Sequence, residues 1–302
     1  MNTESPQRTS APDPATAGSR SGRRRRTLVA SAVAMLGLVA TTLALPAPAA
    51  SAAPHHAGVK PTIVLVHGAW ADGSSWNGEV RILQEKGYKV EVAPNPLRGV
   101  TSDSDYLRSF LATVPGPIVL VGHSYGGFLI TNAATGNPNV KALVYVDAFA
   151  PDEGESIAAL AKGSGSVLEP ALTDPASVFI LRPFPGGDPS RGIVDSYVKP
   201  GLFITGFAGD LPRRKAAALA AQQQPLATNA LTDPSGAPAW KTIPSWALIG
   251  TEDKVIPAAG LELMAHRAGA HIETVRGSHL SLISHPRRTA GVIMDAAEST
   301  SR

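Results

Sequence analysis

The sequence has no cysteine, few aromatic residues (5%) and few charged ones (17%) among its 302 residues. Without cysteine, the chain forms neither disulfides nor cysteine-ligated metal sites, so its fold must be stabilised by its core alone. Charge is too sparse, and hydrophobic residues (43%) too frequent, for a disordered or polar linker protein. The length leaves one large domain or two average ones open, and an α/β fold occupies about 250 residues as one domain.

Outside the first 52 residues, no block of like charge is longer than Arg213-Arg214-Lys215, although the whole chain carries a formal charge of +3. Six basic and two acidic residues precede residue 53, a net charge of +4, while 21 basic and 22 acidic residues follow, a net charge of −1. The later part also has no basic run with interleaved aromatic residues, which is the usual footprint of nucleic-acid binding. No nucleic-acid partner is therefore predicted.

The N-terminal 52 residues have the order of an export signal. Four arginines, Arg23 to Arg26, precede an uncharged stretch over 27–45, and small residues then provide cleavage sites after Ala49 or Ala52. The pair Arg25-Arg26 also resembles the twin-arginine export pattern. We predict a secreted protein that meets the membrane only during export. An uncleaved anchor is the alternative, which the Ala-rich, Ser- and Thr-containing stretch disfavours.

Beyond Lys60, short apolar runs alternate with helix-like segments. Apolar strands separated by helices are typical of a parallel sheet covered on both faces. Six strands are predicted, over 62–66, 88–92, 118–121, 140–146, 246–249 and 271–275.

The alternation is interrupted at about 151–244 by a segment with many Pro and Gly breaks and helical fragments. Such an insertion can cover the carboxyl ends of the strands, where open α/β sheets bind ligands. We therefore predict one α/β domain over 53–302, with about six parallel strands, helices on both faces and a helical cap. The sequence does not indicate an oligomeric state.

The segment Gly122-His123-Ser124-Tyr125-Gly126 fits the pattern G-x-S-x-G, between an apolar strand and a helix. In that context the pattern marks a sharp turn that exposes a nucleophilic serine, and glycine is needed on both sides because bulkier residues would clash. Ser124 is the predicted nucleophile. A structural turn serine is the alternative.

A serine hydroxyl needs a base to accept its proton, and the chain has eight histidines. Seven lie beside the leader, inside glycine turns or at helix boundaries, where structural or solvated roles are expected. His279 follows the last predicted strand, in the loop Arg276-Gly277-Ser278-His279, at the sheet edge where the serine turn also emerges. It is the predicted base.

The base in turn needs a carboxylate that fixes its tautomer. Asp147 and Asp253 each follow a predicted strand, and the order Ser, Asp, His allows either. Asp253 is favoured because its strand lies nearer to His279, and Asp147 is then a hydrogen-bonding residue at a strand end. Glu252 is a further alternative if the turn is shifted by one residue.

Two backbone N–H groups are the predicted donors to an oxyanion, often the largest single contribution to catalysis. The N–H of Tyr125 follows the nucleophile at a helix N-terminus. The second donor is expected in the loop after the first strand, where Gly68 lets the backbone approach closely. Ala69 is the preferred donor and Trp70 the alternative. The loop could also be a turn that simply ends the strand, and this structural role is compatible with either donor.

Together these features resemble the α/β-hydrolase superfamily from about Thr62 to Ala297. More narrowly, the segment HGAWADGSSW from His67, the nucleophile Ser124 and the segment GTED ending at Asp253 resemble a branch that contains plant methyl-ester esterases and hydroxynitrile lyases. The resemblance implies a small helical cap, a Ser-His-Asp site without metal or organic cofactor, and small ester substrates. It also supports Asp253 as the acid.

Two positions separate the activities in that branch. The lyases have Thr after the first-strand His and Lys after the catalytic His, and the Lys provides positive charge for a cyanide leaving group. This chain has Gly68 and Leu280 there, and an apolar side chain cannot stabilise an anion. The sequence therefore favours the esterases.

The main hypothesis is a secreted serine hydrolase that cleaves small carboxylic esters through an acyl-enzyme. Lyase-like or haloperoxidase-like chemistry on the same fold is the second hypothesis, and a non-catalytic exported binding protein is the third. Apolar residues of the insertion either line the pocket or pack the cap, and the sequence leaves both open: Phe179, Leu181, Phe184, Leu202, Phe203 and Phe207.

Overall fold

A six-stranded parallel sheet forms the centre of the computed structural model, which describes residues 59–300. The strands that pair in it are Thr62–Val66 (β1), Val90–Val92 (β2), Ile118–His123 (β3), Val140–Val146 (β4), Ser245–Gly250 (β8) and His271–Val275 (β9). Their order is β2-β1-β3-β4-β8-β9, and every neighbouring pair is parallel. The predicted fold class is confirmed, and the six strands lie within two residues of their predicted bounds.

Helices cover the sheet in two layers, which explains why β1 and β3 are apolar throughout instead of alternating. The longer helices are Asn77–Glu85 (α1), Val100–Leu111 (α2), Gly126–Ala133 (α3), Ala258–Arg267 (α8) and Pro286–Ser299 (α10). Helix α2 packs on α3 and α1 packs on α10, and a member of each pair contacts β3. A short helix, Ser281–Ser284 (α9), precedes α10.

The insertion between β4 and β8 contains both helices and strands. Its helices are Ile157–Ala161 (α4), Pro175–Val178 (α5), Pro200–Leu202 (α6) and Arg213–Ala221 (α7), with a π-helical turn at Phe203–Phe207. Its strands, Phe179–Arg182 (β5), Asp195–Val198 (β6) and Leu226–Ala227 (β7), form an antiparallel sheet in that order. Helical fragments were predicted here from the sequence, but these strands were not. Runs of two to four residues are too short to show an alternation of apolar and polar side chains.

Short 3₁₀ turns complete the described chain. They lie at Gly73–Trp76, Glu169–Leu172, Pro189–Arg191, Thr228–Leu231 and Ala239–Lys241. All but the first belong to the insertion, so the cap is a set of short elements joined by tight turns.

The predicted export signal over 1–52, with its cleavage positions after Ala49 and Ala52, lies outside the described residues. Within residues 59–300, no helix combines the length and the apolar character that crossing a bilayer requires.

Candidate active site

Ser124 stands at the turn between β3 and α3 with a positive φ of 53°, a strained conformation for a residue with a side chain. The glycines on either side allow this turn. A Cβ at Gly122 would lie 2.7 Å from the backbone of Gly126, and one at Gly126 would lie 2.6 Å from the carbonyl oxygen of Val66. The tight turn itself therefore requires glycine at position 122, and the close approach of β1 requires it at position 126.

Three predicted residues are joined by hydrogen bonds. His279 Nε2 lies 2.9 Å from Ser124 Oγ, and His279 Nδ1 lies 2.7 Å from Asp253 Oδ2. All three residues are buried. With Nδ1–H donating to the carboxylate, Nε2 carries the lone pair and faces the serine hydroxyl, which is the tautomer that can accept its proton.

Burial and local donors set the protonation states of this group. Burial lowers the pKa of His279, so the imidazole is neutral at pH 7 and free to act as a base. Asp253 Oδ1 accepts the N–H groups of Val255 at 2.8 Å and Ile256 at 3.0 Å. Burial raises the pKa of Asp253, and these two bonds orient the carboxylate and oppose that rise by stabilising its charged form.

The two alternative acids lie elsewhere. Asp147 does not contact His279: its Oδ1 accepts the N–H of Gly250 at 2.6 Å, and its Oδ2 forms a hydrogen bond with Ser281 Oγ. Glu252 is partly exposed and accepts a bond from Arg276 Nε at 2.7 Å. Of the three carboxylates considered from sequence, only Asp253 is bonded to the base.

The loop after β1 lies against the nucleophile. A Cβ at Gly68 would be 2.8 Å from the Cβ of Ser124 and 2.9 Å from His123 Nδ1, so only glycine fits there without displacement. Within the described residues, neither the Ala69 N–H nor the Tyr125 N–H donates a hydrogen bond. Both N–H groups are thus free for a ligand beside Ser124.

Trp70 connects this loop to the cap. Its φ is 54°, and its Nε1–H donates to the carbonyl oxygen of Ser196 in β6 at 3.0 Å. Its ring stacks on Phe179 at 5.4 Å and meets Phe207 edge-on at 5.7 Å. Phe207 in turn lies 5.3 Å from the ring of His279. The aromatic side chains therefore form a continuous cover over the base.

Three further side chains hold these loops in place; the sequence predicted a structural role for His123 and none for Asn95 or Asp103. His123 Nε2–H donates to the backbone oxygen of His279 at 2.9 Å, and burial lowers its pKa, so it stays neutral. Asn95 Nδ2 donates to the oxygen of His67 at 2.9 Å. The Tyr125 hydroxyl donates to Asp103 Oδ2 at 2.8 Å. Each holds a catalytic loop from a distant part of the chain, and only the position of His123 inside the serine motif could have indicated it.

A cavity of about 530 Å³ lies within the cap. Its walls are mainly apolar and include Phe149, Ile157, Leu168, Phe179 and Val255. Two of its lining residues connect it to the candidate site: Phe149 N–H donates to the backbone oxygen of Ser124 at 3.3 Å, and the Phe179 ring stacks on Trp70.

The six apolar cap residues considered from sequence divide between two roles. Phe179 and Leu181 line the cavity. The others pack: Phe203 stacks on Phe207 at 5.0 Å, Leu202 lies against the core, and the Phe184 ring lies under the Arg98 guanidinium at 4.6 Å. In the part of the chain that the structure describes, no cluster of His, Asp or Glu has the geometry of a metal site.

A model of the alpha/beta hydrolase family matches residues 63–292. Two characterised proteins are similar in sequence. A carbendazim hydrolyzing esterase from Nocardioides sp. is 34% identical over 110 residues, which cover 32% of this chain and 46% of that protein. A pyrethroid hydrolase from Sphingobium wenxiniae is 26% identical over 257 residues, covering 78% of this chain and 88% of that protein. The first match thus spans less than half of its relative.

Solved structures have the same fold. An extracellular alpha/beta-hydrolase from a Paenibacillus species, described as homologous in structure and function to tobacco salicylic acid binding protein 2, matches with a TM-score of 0.64. It is 23% identical and aligns with 78% of this chain and 98% of its own. A methylesterase from Arabidopsis matches with a TM-score of 0.61 at 17% identity, over 79% of this chain and 99% of its own.

Proposed function

This chain belongs to the alpha/beta hydrolase family, and from that membership we propose that it is a serine hydrolase that cleaves carboxylic esters through an acyl-enzyme. The observation that carries the proposal is the chain of hydrogen bonds from Ser124 through His279 to Asp253. The names of the two similar proteins, an esterase and a pyrethroid hydrolase, support it.

In the first step, His279 Nε2 takes the proton of Ser124 while Oγ attacks the ester carbonyl carbon. The negative charge that develops on the carbonyl oxygen is stabilised by the free N–H groups of Ala69 and Tyr125. Asp253 accepts the Nδ1–H bond throughout and stabilises the imidazolium. The alcohol leaves with the proton from Nε2, and the acyl group remains on Ser124.

In the second step, a water molecule gives its proton to His279 Nε2 and attacks the acyl carbon. The tetrahedral intermediate collapses, Ser124 Oγ regains the proton, and the carboxylic acid leaves. Ser124, His279, Asp253 and the two N–H groups suffice for both steps, so the proposal includes no metal and no organic cofactor.

The cap cavity suggests the substrate class. A volume of about 530 Å³ with mainly apolar walls suits a small-molecule ester with a bulky, uncharged acyl or alcohol group. Both similar proteins are named for small organic molecules, carbendazim and pyrethroids. The proposed partner is accordingly a small apolar ester rather than a nucleic acid or a charged polymer.

Replacing the nucleophile tests the proposal. Ser124→Ala should lower kcat on p-nitrophenyl esters by roughly ten-thousand-fold or more, because no other hydroxyl accepts the acyl group. A fluorophosphonate probe should label the wild-type protein on Ser124 and leave the variant unlabelled. The exposed Ser190→Ala is the matched control and should retain full activity. Ester hydrolysis by Ser124→Ala at the wild-type rate would rule out the mechanism.

No observation favours lyase-like chemistry at this site. A threonine side chain at position 68 would collide with Ser124, and Leu280, which follows the base, is buried and apolar. A side-by-side assay of cyanohydrin cleavage and ester hydrolysis tests this alternative. A protein that is neither labelled by the probe nor active on esters would instead be a binding protein.

We propose secretion on the basis of the sequence of residues 1–52, which has the arginine run, uncharged stretch and small residues of an export signal. Expression of the full chain in a host with both export routes should yield an extracellular product that begins after Ala49 or Ala52, as read by mass spectrometry. Replacing Arg25 and Arg26 with lysine should retain the protein in the cell if export uses the twin-arginine route.

A further inference from the structure

Asp147 is a buried carboxyl group that the proposed mechanism does not use. It follows β4, is fully inaccessible to solvent, and has a positive φ of 43°. Its two oxygens bond to two different loops. Oδ1 accepts the N–H of Gly250, three residues before Asp253, and Oδ2 bonds to the hydroxyl of Ser281, two residues after His279.

The three segments meet at close range around Gly250. A Cβ at this position would lie 2.8 Å from the carbonyl oxygen of Gly277, 2.9 Å from that of Ser278 and 3.0 Å from Asp147 Oδ1. The segment that leads to the acid therefore passes directly against the segment that carries the base, and Asp147 is bonded to both.

We propose that Asp147 is a positioning residue that, as a neutral carboxylic acid, holds the loops of Asp253 and His279 in register for their hydrogen bond. The inference rests on the proposed ester hydrolysis and adds to it a fourth side chain that acts through the triad. Asp147 touches neither the serine nor the base, so its effect is on their geometry.

The neutral form follows from the surroundings of Asp147. Burial raises its pKa, and the nearby charge of Asp253 raises it further. His279, which is bonded to Asp253, and His123, whose ring lies 4.9 Å from that of His279, are both neutral, so neither compensates a second negative charge. Burial raises the pKa of Asp253 as well, but its oxygens accept two backbone N–H groups and the Nδ1–H of His279, and these donors favour the negative charge on Asp253 over Asp147.

Two substitutions at Asp147 separate the effect of its hydrogen bonds from the effect of its charge. D147A removes both bonds and should lower kcat about a hundredfold with little change in KM, because a misplacement of about 1 Å in catalytic geometry can be that costly. D147N should restore most of this loss, since its Oδ1 can accept from Gly250 and its Nδ2 can donate to Ser281. Wild-type kcat in D147A would overturn the positioning role.

The pH dependence of kcat/KM tests the neutral state. If Asp147 is neutral, D147N leaves the acidic limb of the profile, which reports His279, where it is in the wild type. If Asp147 were ionised, removing its charge would destabilise the imidazolium and shift that limb to lower pH. A shift of the acidic limb in D147N would therefore overturn the proposal. A purely structural role of Asp147 would not predict that D147N both leaves the acidic limb unmoved and restores kcat.

A substitution at Ser281 provides a second test, which does not depend on whether D147A folds. S281A removes one of the two bonds and should lower kcat by about three- to tenfold with KM unchanged. Ser284→Ala, on the same short helix and bonded to Asp210 instead, is the matched control and should behave as the wild type. Equal kcat for S281A and the control would contradict the proposal even if D147A does not fold.

One readout separates failure of this inference from failure of the proposed function. The proton between His279 Nδ1 and Asp253 can be followed by its downfield NMR resonance in the absence of any substrate. It should persist in D147N and broaden or disappear in D147A. If wild type cleaves no ester, the proposed function fails while the resonance still tests the positioning role; if esters are cleaved and the resonance is intact in D147A, only the positioning role fails.

Discussion

The protonation states of single residues in the site depend on burial and on the hydrogen bonds that each residue forms. His279 and His123 are buried and neutral, and at Asp253 the donated N–H groups favour the charged form while burial raises the pKa. Outside the site, Glu79 in α1 is buried without a hydrogen-bond partner for its oxygens in the described residues. Each of these groups has a protonation state that a neutral or charged substitution can test.

The first prediction concerns the acid. Asp253→Asn should lower kcat roughly ten-thousand-fold, because an amide at this position no longer accepts the Nδ1–H bond and favours the wrong tautomer of His279. Steady-state kinetics on a p-nitrophenyl ester measure the effect. Glu252→Gln, one residue away and bonded to Arg276, is the control and should retain activity. If Glu252→Gln lost most of its kcat and Asp253→Asn lost little, Glu252 rather than Asp253 would be the acid.

The second prediction concerns Glu79. Burial raises its pKa from 4.5 to about 9, so the folded protein keeps a proton that the unfolded chain loses. Between pH 4.5 and pH 9 the folded state thus binds more protons, and the free energy of unfolding contributed by this group falls as pH rises. Glu79→Gln should remove that decline. Urea unfolding at pH 5, 7 and 9 measures it.

The exposed Glu85, on the same helix, is the control for this titration. Glu85→Gln should follow the wild-type dependence on pH, whereas the difference in stability between Glu79→Gln and wild type should grow towards pH 9. A constant difference across the three pH values would mean that Glu79 is ionised in the folded protein.

Among the elements, the loop after β1 and the cap sheet are coupled through Trp70. Its indole N–H bonds to Ser196 of β6, and its ring packs against Phe179 of β5. Since Ala69 directly precedes Trp70, the cap helps to hold the proposed oxyanion donor in place. Strands β5 to β7, absent from the sequence prediction, are therefore part of what shapes the site.

The third prediction tests this coupling. Trp70→Phe keeps an aromatic ring but loses the bond to Ser196, and we expect kcat to fall about tenfold with a small change in KM because the Ala69 N–H moves. Trp240→Phe is the matched control: it loses a similar indole bond, to the oxygen of Pro151 at 2.8 Å, far along the cap. It should lose stability but not kcat. Equal kcat for both variants would refute the coupling.

At the scale of the whole molecule, the cap encloses a mainly apolar space above the sheet edge where the strands end. Transfer of an apolar group from water into the cavity is itself favourable.

The fourth prediction uses the cavity. Ala171 lines it, and Ala171→Phe should reduce its volume. We expect kcat/KM to fall about tenfold for an ester with a bulky aromatic or branched group and to stay unchanged for p-nitrophenyl acetate, which does not need the space. Ala218→Phe, at an exposed position of α7, is the control. Equal loss on both esters would place the bulky group elsewhere.

The sequence predicted the fold because its signals are local. Apolar runs, glycine stops and the G-x-S-x-G turn each depend on neighbouring residues, and the six strands and the family resemblance are confirmed. The cap was predicted only in part, since its strands pair across gaps of up to 31 residues and are too short to be periodic. The roles of Ser124, His279 and Asp253 stay predictions, now supported by the hydrogen bonds that join the three residues in the structure.

By itself, the sequence determined the residue types of the site, their order along the chain and the strand ends that carry them. It also determined that basic charge is concentrated in residues 1–52, while the rest of the chain has a net charge of −1. Only the tertiary structure decided which carboxylate meets the base, that Asp147 joins two loops, and that Trp70 reaches the cap. These are contacts between residues 26 to 134 positions apart. Such contacts depend on how distant loops pack together and on which buried polar groups then need a hydrogen-bond partner. A pattern of neighbouring residues does not encode either of these.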